Sequence, residues 1–329
     1  MKIVFTWVKD EDVKYFSENL KGHQLIFYKD YIDKINVEEI SDTDILSVFV
    51  FDKLDKEKLS RFKNLKLIVT RSVGFDHIDI DYCKENNIKV ANIPSYSPKS
   101  IAEHTLALLL SLTRKLKTSI EKTTKVDFTQ TEDLMGLDLD DLTVGIIGTG
   151  RIGSWVARMC LSLGMKVYAY DVIENEELKK LGVKYVDFDT LIESSDVISL
   201  HVPYSPQTHH LINGEAIKKM KEGVILINTS RGAVVDTDAL YEALKEGKIG
   251  GAGLDVFEDE DILILEKYED GHSTDKNLKI IKLSTLPNVI ITPHIAYYTT
   301  KAVKNIRKHT VEAIKMFLET GKLGSFEVV

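Results

Sequence analysis

Cysteine is nearly missing from the 329 residues: Cys83 and Cys160 are the whole supply. A secreted framework built on disulfides is therefore disfavoured, and a reducing cytosol is the simpler setting. Six prolines and 19 glycines are too few for a collagen-like or low-complexity chain. No run reaches the ~18 apolar residues of a membrane span. The opening Met1-Lys-Ile-Val-Phe-Thr-Trp turns polar too soon for a signal peptide and reads as a first buried strand. Positive charge is also scarce. Lys and Arg number 43 against 51 Asp and Glu, a net charge of -8, which argues against nucleic-acid binding through a basic surface. The expectation is a cytoplasmic protein with neither a membrane nor a nucleic-acid partner.

What is present is ordinary globular composition, 43% hydrophobic and 29% charged. At ~150 residues per domain the length suggests two domains. Short Val- and Ile-rich runs alternate with helical patterns. The early series is 3–6, 25–28, 45–49, 67–70 and 89–91. The later series is 143–147, 166–170, 197–200, 224–228, 253–256 and 289–292. Runs of this kind suit strands covered on both faces, so each half reads as a parallel α/β sheet. Between the series, Ile101 to Leu116 reads as a helix that is apolar almost all round until Arg114. It suits either a domain or subunit interface or an ordinary core. A final helix, about 301–320, stops at Gly321. The stretch from Phe257 to Pro287 is long for a connection, and a lid or binding loop is expected there.

Gly148-Thr-Gly150-Arg-Ile-Gly153 matches G-x-G-x-x-G. It lies between a strand and a helix over 151–163, the order a dinucleotide-binding turn requires. The first glycine permits the turn, the second admits a pyrophosphate, and the third lets helix and strand pack closely. Unpaired N–H groups and the dipole at the helix start favour phosphate. Asp171 ends the next strand, placed to accept both ribose hydroxyls and to repel a 2′-phosphate. NAD is therefore expected over NADP.

In open α/β sheets, ligands bind beyond the carboxyl ends of the strands. Just past successive predicted strands stand His201-Val-Pro203, Thr229-Ser-Arg231-Gly232, Asp255 with Glu258 and Glu260, and Pro293-His294. His209 and His210 carry no further ligand at metal spacing, so no metal is expected. Arg231, Glu260 and His294 suit reduction of a 2-keto acid. Arginine offers a planar fork to a carboxylate. Histidine gives a proton to the forming alkoxide, and a carboxylate holds the imidazolium and fixes the ring.

With these motifs in order, the chain resembles the D-isomer-specific 2-hydroxyacid dehydrogenase family. The resemblance also rests on Arg71-Ser-Val-Gly-Phe-Asp76, Ser97-Pro-Lys-Ser-Ile-Ala-Glu103-His104 and Ser195-Asp-Val-Ile-Ser-Leu-His201. It implies two doubly wound parallel-sheet α/β domains. A discontinuous flavodoxin-like substrate domain would comprise 1–97 and 300–329, and a Rossmann-type NAD domain 98–299, usually a homodimer through the latter. It implies Arg231 as the carboxylate clamp, His294 as acid/base and Glu260 as its partner. Gly148, Gly150, Arg151, Ile152, Gly153, Asp171, His201, Val202, Pro203, Thr208, Thr229, Ser230 and Asp255 look like cofactor contacts, the last beside the nicotinamide carboxamide. Val73 and Gly74 look like backbone donors to the substrate carboxylate, brought in by closure.

Within the family, Glu260-Asp-Ile-Leu-Ile lacks the proline that usually follows this glutamate in glycerate-type members. Together with Tyr96-Ser-Pro and His294-Ile-Ala-Tyr297, it is similar to the D-lactate dehydrogenase branch. Tyr96 and Tyr297 would then wall a small pocket, with pyruvate the expected substrate. The alternatives are another keto acid (hydroxypyruvate, glyoxylate, branched or aromatic) or an NAD(H)-sensing corepressor-type binding protein.

Overall fold

The computed structural model describes residues 1–260 and 275–329. The middle of the expected lid, 261–274, lies outside the described residues. The chain divides into two compact units, Met1–Ser97 with Thr299–Val329, and Pro98–Tyr298.

The first unit carries β1 (Lys2–Phe5), β2 (Gln24–Phe27), β3 (Ile45–Val48), β4 (Leu67–Thr70) and β5 (Lys89–Ala91). They form one parallel sheet in the order β2-β1-β3-β4-β5, the flavodoxin-like arrangement. Every residue of β3 and β4 is buried, so these strands read as near-continuous apolar runs, interrupted only by Ser47 and ended by Thr70, rather than alternating ones. The Phe5 ring stacks on Phe16 of helix Asp10–Asn19 with centroids 4.5 Å apart. Helix Thr300–Thr320 returns the chain to this unit. Thr299 caps it by accepting from the Ala302 N–H at 3.2 Å, and Gly321 stops it at a φ of 68°. Arg307 on that helix donates through Nε to Asp12 at 2.6 Å, tying the last helix to the first.

The second unit carries β6 (Thr143–Ile147), β7 (Lys166–Tyr170), β8 (Lys184–Tyr185), β9 (Val197–Leu200), β10 (Val224–Asn228), β11 (Ile249–Leu254) and β12 (Val289–Ile291). Their order is β12-β11-β10-β9-β6-β7-β8, all parallel. The chain winds one way from β6 to β8 and the other way from β9 to β12. The carboxyl ends of β6 and β9 therefore flank the point where the winding reverses, where such sheets take ligands.

Helix Pro98–Thr113 packs on β10, β11 and helix Gly153–Ser162 of its own unit, with Leu108, Leu109 and Leu112 buried. It is a core helix of this unit. The structure corrects its expected end: Lys115 adopts a left-handed φ of 53° and a separate helix, Leu116–Thr124, begins. That second helix buries none of its residues. Around it Ile120, Val126, Phe128 and Met135 are 59%, 82%, 76% and 72% exposed. β11 also begins four residues before the expected run, because Ile249-Gly-Gly-Ala-Gly-Leu is too glycine-rich to show strand propensity. Among the described residues no helix is long and apolar enough to cross a membrane.

Both thiols are buried, and burial pushes Cys83 up to about 11 and Cys160 up to about 12. Neither supplies a thiolate at neutral pH. The native protein should therefore leave an aromatic disulfide reagent uncoloured until denaturant is added. Fast reaction before unfolding would show that one of them is accessible.

Candidate active site

The glycine turn joins β6 to helix Gly153–Ser162. Gly148 takes a φ of +91°, a conformation side chains rarely adopt. A Cβ on Gly153 would fall 1.9 Å from the Gly148 carbonyl oxygen, so only glycine lets the helix start this close to the strand. A Cβ on Gly150 would meet nothing within 4 Å. Packing therefore leaves that position free, and glycine there keeps open space beside the helix start. This is the cradle a diphosphate fills, and the residues present fit a dinucleotide.

Asp171 follows β7 and faces the turn. Its Oδ2 accepts the Thr149 N–H at 2.5 Å and the Thr149 hydroxyl at 3.1 Å, while Oδ1 accepts the Ile173 N–H at 3.2 Å. Tyr185 of β8 donates its hydroxyl to Thr149 Oγ1 at 2.8 Å, a support that sequence inspection passed over because β8 is only two residues long. Beside Asp171, Val172 and Ile173 are 91% and 78% exposed, an apolar surface next to a carboxylate.

Arg231 opens the turn after β10. Its backbone carbonyl accepts from Asn228 Nδ2 at 2.9 Å, and its Nη1 donates to the Ser230 carbonyl at 2.9 Å. The next residue has to be glycine, since a Cβ on Gly232 would lie 2.1 Å from the Phe257 carbonyl carbon and oxygen. That close approach seats the Arg231 turn directly against the segment leading to Glu260.

Past β11, Asp255 is 1% exposed. Its Oδ1 accepts the Thr292 hydroxyl at 2.5 Å and the Ile295 N–H at 2.9 Å, and its Oδ2 accepts the Ala296 N–H at 2.9 Å. The Asp255 carbonyl takes the His294 N–H at 2.9 Å. His294 is thus bracketed by one residue, and it sits at a left-handed φ of 52°. Strain of this kind costs about 1–3 kcal/mol and persists only where surroundings over-determine it. The His294 Nδ1 lies 2.7 Å from Glu260 Oε1, both side chains being mostly buried at 16% and 17% exposure. Glu260 Oε2 accepts the Phe257 N–H at 3.3 Å. A second pair lies alongside: His210 Nε2 meets Glu258 Oε1 at 2.6 Å, and Glu258 Oε2 accepts the Thr237 N–H at 2.9 Å.

Other expected cofactor residues have internal partners as well. Thr229 shares a 2.9 Å hydrogen bond with Thr105, and Ser230 donates to Asn228 Oδ1 at 2.8 Å. Thr208 donates to the Pro203 carbonyl at 2.7 Å, shaping the loop that carries Val202 and Pro203. Arg151 and Gly150 are exposed at the helix start, and Ile152 is half-buried. Tyr297 is half-buried, its ring edge-on to Tyr298 at 5.8 Å. In the first unit, the Val73 carbonyl accepts from Asn92 Nδ2 at 2.6 Å and that of Gly74 from Ser72 Oγ at 2.6 Å. Tyr96 is half-buried, and its carbonyl accepts from Asn305 Nδ2 at 2.7 Å. The strand ends of that unit also gather Trp7, Tyr31 and Phe51, which sequence inspection missed. Trp7 stacks on Tyr31 at 4.7 Å and meets Phe51 edge-on at 6.4 Å. These aromatics follow three separate strands, so no local motif announces them. Among the described residues no group of His, Cys, Asp and Glu is arranged to hold a metal ion.

His201 points inward, its Nε2 2.8 Å from Ser199 Oγ, and burial holds its imidazole down to about 3 from an ordinary 6.5. Below 6.5 the unfolded chain binds a proton that the folded chain refuses until about 3. The stability tied to neutral His201 is therefore complete above 6.5 and is lost as pH falls through that window, at up to about 1.4 kcal/mol per pH unit. His201→Asn should flatten this dependence in denaturant titrations between about pH 6 and 4. An unchanged slope would remove His201 as its source.

Comparison with known proteins agrees with the fold and with a dinucleotide cradle. Residues 106–296 match the family model for the D-isomer specific 2-hydroxyacid dehydrogenase NAD binding domain. The crystal structure of an Aquifex aeolicus D-lactate dehydrogenase, solved with NAD and lactic acid, is 52% identical, superposes with a TM-score of 0.95 and covers 99% of each chain. The D-lactate dehydrogenase of Escherichia coli is 34% identical over 100% of both chains. An aromatic 2-oxoacid reductase of Clostridium sporogenes is 38% identical over 96% of each. A glycine cradle shaped for a dinucleotide, a doubly wound sheet and matches spanning nearly the whole chain lead to one assignment: this chain belongs to the D-isomer specific 2-hydroxyacid dehydrogenases and carries their NAD-binding domain.

Proposed function

We propose that the protein reduces pyruvate to D-lactate with NADH. The observation that carries the mechanism is the 2.7 Å contact between His294 Nδ1 and Glu260 Oε1, set beside the Arg231 turn. With Nδ1 engaged by the carboxylate, we assign the proton exchange with substrate to Nε2. Glu260 fixes the ring and compensates the imidazolium when His294 is charged. Arg231 takes the substrate carboxylate through its planar fork. Gly148, Gly150 and Gly153 would hold the diphosphate of NADH, and Asp171 the ribose hydroxyls, with Val172 and Ile173 offering an apolar surface to the base. When bound, NADH supplies the hydride that reduces the keto carbon. His294 Nε2 delivers the proton to the oxygen, so the carbonyl becomes a hydroxyl. In the reverse direction His294 removes that proton. The 52% identity to a D-lactate dehydrogenase supports pyruvate over larger keto acids.

The decisive experiment is the rate of NADH oxidation across pyruvate, phenylpyruvate, 2-ketoisocaproate and hydroxypyruvate, with D- and L-lactate in reverse. Pyruvate should show the highest kcat/KM, and only D-lactate should be oxidised. Preference for phenylpyruvate would move the assignment to the aromatic reductases. His294→Ala should lose at least about a hundredfold in kcat, the usual contribution of a positioned acid/base, with NADH binding retained. Arg231→Lys should act mainly on KM, since an ammonium cannot make the paired contact.

We also propose a homodimer through the NAD-binding unit. The exposed apolar side chains of Ile120, Val126, Phe128 and Met135 support it, being the kind of surface that monomers seldom leave in water. Light scattering should give twice the chain mass, and Phe128→Glu with Met135→Glu should halve it. A monomeric parent would end this reading.

A further inference from the structure

Helix Pro98–Thr113 is apolar along its middle and polar where its first turns pass the carboxyl ends of β10–β12. Leu108 belongs to the core, and His104, one turn earlier on the same face, meets the β12 exit instead. Its Nε2 lies 2.9 Å from Thr292 Oγ1 and 3.5 Å from Asp255 Oδ1, and its side chain is 20% exposed. Thr292 has a single hydroxyl proton, and at 2.5 Å that proton goes to the Asp255 carboxylate. Thr292 can then only accept from His104, so the His104 proton sits on Nε2. The relay runs from His104 N–H to the Thr292 hydroxyl to Asp255 Oδ1. Asp255 in turn holds the N–H groups of Ile295 and Ala296 and, through its carbonyl, that of His294.

We infer that His104 is a positioning residue for His294. By locking the Thr292 rotor it aims the Asp255 carboxylate at the two N–H groups after His294, and so maintains the left-handed backbone that turns the imidazole toward Glu260. The inference rests on the acid/base reading of His294. It assigns His104 no contact with substrate or cofactor.

The test compares His104→Leu, which removes the donor, with His104→Gln, whose amide can present an N–H at a similar reach. With pyruvate and NADH, His104→Leu should lower kcat about tenfold, because a small misplacement of a reacting group is costly. KM for pyruvate and fluorescence-measured NADH binding should stay within about twofold, since no binding contact is lost. His104→Gln should recover most of kcat. In the protein without cofactor, the His294 imidazole nitrogen resonances should move in the Leu variant and return in the Gln variant. Full kcat in His104→Leu, or equal loss in both variants, would overturn the inference. If His104→Leu does not fold, Thr292→Val against Thr292→Ser asks the same question, and full activity in the Val variant would overturn it. His294→Ala, run in parallel, separates the two ideas. If it keeps turnover, the acid/base reading itself has failed. If it is inactive while His104→Leu is not, only the positioning role has failed.

Discussion

Asp255 is almost fully buried, and among the described residues the groups that reach its carboxylate are donors from the β12 exit and from helix Pro98–Thr113. A buried charge is tolerated only when its hydrogen bonds are made, and here backbone N–H groups make them. The consequence is geometric. The carboxylate can be satisfied only if the chain after β12 turns back in one way, and that turn places His294 at a strained φ facing Glu260. The pairing of His294 with Glu260 and the satisfaction of one buried carboxylate are therefore the same requirement.

A comparable economy governs the two loops on either side. Gly232 packs against the Phe257 carbonyl with no room for a side chain, so the Arg231 turn and the Glu260 segment are set by mutual contact. Glu258, within that segment, ties it to His210 and to the Thr237 N–H. Its carboxyl is held below the usual carboxylate range by His210 and the Thr237 N–H, against burial acting the other way. The arginine and histidine we propose to act on one small anion need fixed separations, and rigid backbone contacts supply them better than mobile side chains. His201 differs from the other strand-end residues: its ring meets Ser199 and burial holds its imidazole well below the ordinary value, while its backbone, packed on Gly148, borders the turn.

Much of the fold was legible in the chain. Leu67–Thr70, Thr143–Ile147 and Val224–Asn228 form strands over the expected residues because central parallel strands must be apolar on both faces. The glycine turn was equally readable, since its spacing follows from local backbone sterics. Where local signal was weak, the reading slipped. β11 began earlier than its glycines allowed one to see, and the long apolar helix broke at Lys115, which neither proline nor glycine marks.

By itself the sequence determined two parallel α/β sheets, a dinucleotide turn, and a set of polar residues stationed after strands, because periodicity and steric spacing act over a few neighbours. Tertiary structure alone decided which of those polar residues meet. The 2.7 Å pairing of His294 with Glu260 spans 34 residues, and the contact of His104 with Thr292 spans 188. Such partners are chosen by sheet order and by where a buried carboxylate finds its donors, and neither is written in the neighbourhood of any single residue.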